Sequence, residues 1–194
     1  HGRIHGLQVI YPEKKQGRDK DFWPAGLAKK SHFHQIGVIT DLVLIAEGYA
    51  TGASLHEATG LPVAVAFDAG NLAPVAKAIR HRNRAVRILI CADDDYLTGD
   101  PGVKAADIAA LAVGGHWVKP EFAVDRAGEK ITDFNDLHAR EGLSAVRAQI
   151  EARLSALGWN VPAHQTGGEP QSGGGGKRRD ARSVMELNEL IERF

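Results

Sequence analysis

Asp41-Leu-Val-Leu-Ile-Ala-Glu47-Gly48 is an apolar run that ends on a carboxylate and a glycine. A later stretch, Ala85-Val-Arg-Ile-Leu-Ile-Cys-Ala-Asp93-Asp94-Asp95, has the same form and ends on three aspartates. Continuous apolar runs of this length read as strands buried on both faces, the signature of a parallel sheet covered by helices. In such sheets ligands bind beyond the carboxyl ends of the strands, and both acidic motifs fall there.

Working outward, the pattern alternates. Strand 41–46 is followed by a helix from about 50 to 59, strand 62–67 by a helix from about 72 to 82, and strand 85–92 by a helix from about 102 to 113. Strand 116–122 closes the series, and a helix from about 136 to 157 follows. The expected fold class is α/β, a parallel sheet of about four strands flanked by helices. Before residue 41 the composition shifts to β formers and turn residues. Segments 6–12, 20–24 and 32–37 read as short strands of a small N-terminal antiparallel β subdomain carrying Lys14, Lys15, Arg18, Lys20, Lys29 and Lys30. The expected organisation is a basic N-terminal subdomain over 1–40, a core over 41–160, a flexible Gly-rich linker over 161–180 and the start of a helical region over 181–194. The chain reads as a piece of something longer. Gly176-Lys177 does not open a phosphate loop, because Gln171 and Arg178 stand where that motif needs Gly and Ser or Thr.

Lys+Arg and Asp+Glu both number 24, so a surface that grips nucleic acid everywhere is excluded and any such contact is local. The single cysteine, Cys91, lies inside an apolar strand, which rules out an internal disulfide framework. No apolar run approaches the roughly 18 residues of a membrane span. The expectation is a cytoplasmic protein without membrane contact.

Three carboxylates at one sheet edge repel unless a cation sits among them. Hard oxygen ligands suit Mg²⁺ (or Mn²⁺), which is bound through few carboxylates together with phosphate oxygens. The strand ends therefore point to metal-assisted phosphoryl or nucleotidyl chemistry. Asp93 and Asp95 are the expected metal ligands, with Asp94 turned the other way; which two of the three aspartates ligate is left open by the turn. Asp133, Asn135 and Asp136 form a second polar cluster, in which Asp136 also suits a helix cap. Asp68 and Asn71, after the second strand of the series, are candidates for the same rim. Gly48 leaves room for close backbone approach. Asp100-Pro101 reads as an N-cap followed by proline at the first helical position. Lys29, Lys30, Arg82 and Arg84 are the candidate nucleic-acid contacts, although the basic run 77–87 reads equally as a solvated helix face.

Residues 41–138 resemble a Toprim domain, the catalytic module shared by DnaG-type primases, topoisomerases of types IA and II, and some nucleases. Glu47-Gly48 and Asp93-x-Asp95 carry that resemblance. More narrowly, Glu47–Gly60, Ala66–Leu72 and Thr132–Leu137 resemble the Toprim module of plasmid, phage and integrative-element primase-helicases. The resemblance implies that Glu47 is a general base or a metal-proximal carboxylate and that Asp133 adds a metal ligand. It departs from the DnaG pattern at Asn135 and Thr51, where acidic residues are usual. The implied function is a DNA primase that uses NTPs on a single-stranded DNA template, with a helicase domain on the same polypeptide, in replication of a mobile element. A Toprim nuclease, or a module that only binds DNA or nucleotide, is the alternative.

Overall fold

The computed structural model describes residues 4–15, 17–123 and 125–159. The expected linker and the helix after it lie outside them. The core is a five-stranded sheet built from β3 (His34–Ile36), β4 (Leu42–Ala46), β5 (Val63–Val65), β6 (Arg87–Cys91) and β7 (His116–Val118). Its order is β3-β5-β4-β6-β7. The last four strands run parallel, as the apolar runs predict, and β3 pairs antiparallel with β5. Only β1 (Leu7–Lys15) and β2 (Arg18–Trp23) form the separate N-terminal antiparallel sheet. The third N-terminal segment, grouped with them on sequence, instead completes the edge of the main sheet.

Strand alternation divides the core into two layers. Val43, Ile45, Ile88 and Ile90 pack against α2 (Ala69–Arg82) and α3 (Pro101–Leu111). Leu42, Leu44, Leu89 and Cys91 face α1 (Tyr49–Thr59), α4 (Phe134–Glu141) and α5 (Leu143–Ala156). Cys91 is fully buried and its thiol is pushed up by that burial, so it is an inert packing residue.

Three differences from the sequence reading concern the elements around the acidic loops. β7 stops at Val118, because Pro120 has no N–H for the ladder. The expected 136–157 helix is two helices, broken at Gly142, whose φ of 85° no helix continues. That helix also starts earlier, at Phe134, with Asp133 as its cap.

Candidate active site

β4 and β6 are neighbours, with Ala46 opposite Cys91. Glu47 and Asp93 therefore leave the sheet at the same edge, as expected. Their other neighbours differ. Glu47 has the parity of Val43 and Ile45, and the backbone N–H of Ala69, at the start of α2, favours its charged form. Asp93 has the parity of Leu89 and Cys91, on the side of α4 and Asp133.

Burial is the main electrostatic fact of the site. It pushes the Asp93 carboxyl up to about 8, with the charges of Glu47, Asp133, Asp95 and Asp136 adding to the effect. Glu47 is raised by burial and by Asp95 and Asp68, against the opposing charge of Lys20 and the Ala69 N–H. Asp133 is also raised, chiefly by burial. Asp93 Oδ1 is buried and has no hydrogen-bond partner. An orphaned carboxylate oxygen surrounded by like charges matches what a divalent cation completes. Among the described residues no three acidic, histidine or cysteine side chains are already drawn together as a ligand set. On the donor chemistry, Glu47, Asp93 and Asp95 are the side chains that could hold Mg²⁺ or Mn²⁺.

Asp94 does point elsewhere. Its buried carboxylate lies 2.8 Å from Lys119 Nζ and 2.8 Å from an Arg126 guanidinium nitrogen. Asp100 stands at the N-cap of α3 with Pro101 at the first helical position. Its side chain makes no cap bond, however, and its φ is 58°. Gly102 is required here: a Cβ would lie 2.5 Å from the Asp93 carbonyl oxygen, so α3 begins directly against the acidic loop.

The second polar cluster is largely occupied in building the fold. Asp133, not Asp136, caps α4: its Oδ1 accepts the Asp136 N–H at 2.8 Å, and Asp136 Oδ2 accepts the N–H groups of Thr132 and Asp133. This is a reciprocal capping box. Asp133 Oδ2 accepts the Thr51 hydroxyl at 2.9 Å, so Thr51 steadies the cluster from α1. Asn135 Oδ1 accepts the Ser54 hydroxyl, which in turn accepts from His138 Nδ1. Asn71 is buried, and its amide donates to the carbonyls of Lys29, His32 and Ala66 while its oxygen accepts the Ser31 N–H. It pins the segment before β3 rather than presenting itself to a ligand. Gly48 has an ordinary φ of −94°, and an added Cβ would meet only Thr51 Oγ1 at 3.4 Å. The fold does not demand glycine there; open space beside Glu47 is what it provides.

The basic candidates separate. Lys29 Nζ is 2.7 Å from Asp68, on the rim of the acidic edge, and also lies over the Phe22 ring. Lys30 is exposed. Arg82 and Arg84 are exposed near the C-terminal end of α2, where β6 begins, so the strand separates them from the carboxylates. Their neighbour Arg80 donates to the carbonyls of Val113, Arg84 and Val86, a structural use. Sequence reasoning missed Lys20, whose charge reaches Glu47 from β2. It also missed Phe67, a bulky residue at φ 71° whose N–H bonds Glu47 O and whose ring meets Phe22 edge-on. Strain of this kind persists only where surrounding structure enforces it. Its ring contact with Phe22 of β2 is one link between the N-terminal hairpin and the acidic edge.

An α/β sheet with Glu-Gly after one central strand and Asp-x-Asp after its neighbour defines the class, and the family model for the Toprim domain matches residues 42–144. The chain belongs to the Toprim domain family. It is similar to two Escherichia coli proteins named DNA primase TraC, 40% and 38% identical over 105 residues, or 49% of this chain. The matched part spans only 7% and 10% of the length of those relatives. No solved structure matches the chain. No helix among the described residues is long and apolar enough to cross a membrane.

Proposed function

We propose that this chain is the catalytic domain of a DNA primase, a nucleotidyltransferase that makes short primers on single-stranded DNA. The observation that carries the reading is Asp93: buried, carrying an unpartnered oxygen, and set among Glu47, Asp95 and Asp133 at the carboxyl edge of a Toprim sheet. Similarity to the TraC primases supports the choice of reaction.

Asp93 and Asp95, with Glu47 and Asp133 beside them, would hold Mg²⁺ or Mn²⁺. The bound cation supplies neutralisation of phosphate charge as an NTP reacts. Glu47 has a raised proton affinity that suits it to take the proton from a primer 3′-hydroxyl. That hydroxyl attacks the α-phosphate and pyrophosphate leaves. Lys30, and Lys29 when it leaves Asp68, would meet template phosphates. Arg82 and Arg84 would touch nucleic acid only on the far edge of the sheet. The wider reading is a cytoplasmic replication protein of a mobile element, with a helicase domain on the same polypeptide.

The test is template-dependent oligonucleotide synthesis from NTPs, with and without Mg²⁺. The parent chain should make short products and Asp93→Asn should make none while keeping its circular dichroism spectrum. Fragmentation of the template without synthesis would assign the site to a nuclease instead. Neither outcome, together with no binding of NTP or cation, would leave a DNA-binding module.

A further inference from the structure

We propose that Asp94, the middle of the three consecutive aspartates, is a positioning residue: through Lys119 and Arg126 it clamps the loop carrying Asp93 and Asp95 to the segment carrying Asp133. The proposal rests on the metal-dependent reading above and names what presets that site.

Four observations converge on it. The Asp94 side chain is 3% exposed and each of its oxygens meets a different cation, Oδ1 with Lys119 and Oδ2 with Arg126. Only the Asp94 end of this network is buried, and a buried carboxylate stripped of its partners is costly, while the pair itself adds little net stability over apolar packing. Its use here is geometric. The Asp94 N–H donates to Thr132 O at 2.7 Å, one residue before Asp133, and Thr132 N–H is itself bound by Asp136. Lys119 directly follows β7, which is held to the same loop by Ala92 N–H donating to Val118 O.

Arg126 is fixed in turn. Its guanidinium lies 3.8 Å from the centre of the Tyr96 ring and 5.2 Å from that of Phe122, and it donates to Ile131 O. The Tyr96 hydroxyl donates to Glu129 O. The connection from Val118 to Asp133 contains no described helix or strand. Packing of α4 and the Thr51 hydroxyl hold Asp133 from the side of α1; the Asp94 network ties the same segment to the loop that carries Asp93. The two acidic motifs are far apart in sequence, and the Asp94 network is a direct tie between the segments that carry them.

A simpler role for Asp94, as one more negative charge attracting the cation, predicts the opposite sign for its partners. Removing a nearby positive charge raises cation affinity if charge alone matters. Removing it lowers affinity if Lys119 and Arg126 hold the geometry. Arg126→Lys keeps the charge and loses only the planar fork and its stacking.

The experiment is calorimetric titration of the whole chain with Mn²⁺ in the absence of nucleotide, with circular dichroism as the folding control. Lys119→Met and Arg126→Lys are each expected to weaken Mn²⁺ binding by about tenfold, the scale of losses from removing outer partners of metal ligands. Asp94→Asn should weaken it at least as much; if that variant does not fold, Arg126→Lys decides between the two roles. Tighter binding by Lys119→Met, or unchanged binding by Arg126→Lys, would overturn the positioning role while the metal site stands. A parent chain that binds no Mn²⁺ would overturn the metal site and the positioning role together.

Discussion

Lys29 Nζ lies 2.7 Å from the Asp68 carboxylate, so a lysine expected to face template phosphates is already paired at the rim of the acidic edge. Lys30, next to it, is exposed. The two should behave differently. Lys30→Ala should lower single-stranded DNA affinity and make the dependence of log K on log salt shallower by about one charge. Lys29→Ala should change that slope less, because the lysine must first leave Asp68. It should also cost at most about 1 kcal/mol of stability, since both partners are partly exposed. Fluorescence anisotropy across a salt series, with urea unfolding of both variants, checks this; equal slopes for the two would refute it.

Asp93 makes stability depend on pH. Its carboxyl is raised from the ordinary carboxylate range to about 8, so between these values the folded state binds a proton that the unfolded chain releases. Stability from this group is greatest below the ordinary range and is lost as pH rises through about 8. Without divalent cations, the parent should be less stable at pH 8.5 than at pH 5, by a difference on the order of a few kcal/mol, and should melt at a lower temperature. Asp93→Asn should flatten that dependence. A parent melting profile with the opposite slope would contradict the buried, charge-crowded setting.

Asp133 carries a structural role separable from any cation. Asp133→Ala removes a helix cap worth about 1 kcal/mol and leaves the buried Thr51 hydroxyl unpaired, which adds a cost of about 1–3 kcal/mol. The variant should lose stability in metal-free buffer, read as a lower urea midpoint. Thr51→Val with Asp133→Ala should lose less than the sum of the two single changes, because they share one hydrogen bond.

Gly102→Ala should destabilise the chain despite alanine's better helix propensity. The new methyl would press on the Asp93 carbonyl oxygen from 2.5 Å, and relief requires moving α3 or the acidic loop. A loss of about 1–3 kcal/mol is expected, as for overpacking. An equal or higher melting temperature would show that the two elements can part freely.

The centre of the fold is legible because β4 and β6 are apolar throughout and end on acids; local sequence contains both the strand and its terminus. Residues His34–Ile36 carry no comparable signal. Their partner β5 is nearly thirty positions away, and three residues are too few for periodicity to place them. Gly142 disappears into one long helix because a single glycine inside an amphipathic pattern is tolerated on propensity alone, whereas its positive φ is a tertiary fact. The cap of α4 is legible in type but not in position, since Asp133 and Asp136 both suit the role. The partners of Asp94 and Lys29 are not legible at all. A charge pair formed across 25 or more residues leaves no trace in spacing.

The placement of β3 has a consequence for how the molecule meets other copies of itself. Both border strands of the main sheet, β3 and β7, are only three residues long. A foreign strand docking there would find too short a row of backbone donors and acceptors to zip onto. The two-stranded hairpin, whose edges are longer, carries Pro12 and the pair Lys14-Lys15 along β1. Proline interrupts the row and lysines repel a second copy, so among the described strands β3 and β7 resist growth into aggregates by their shortness and β1 by its composition.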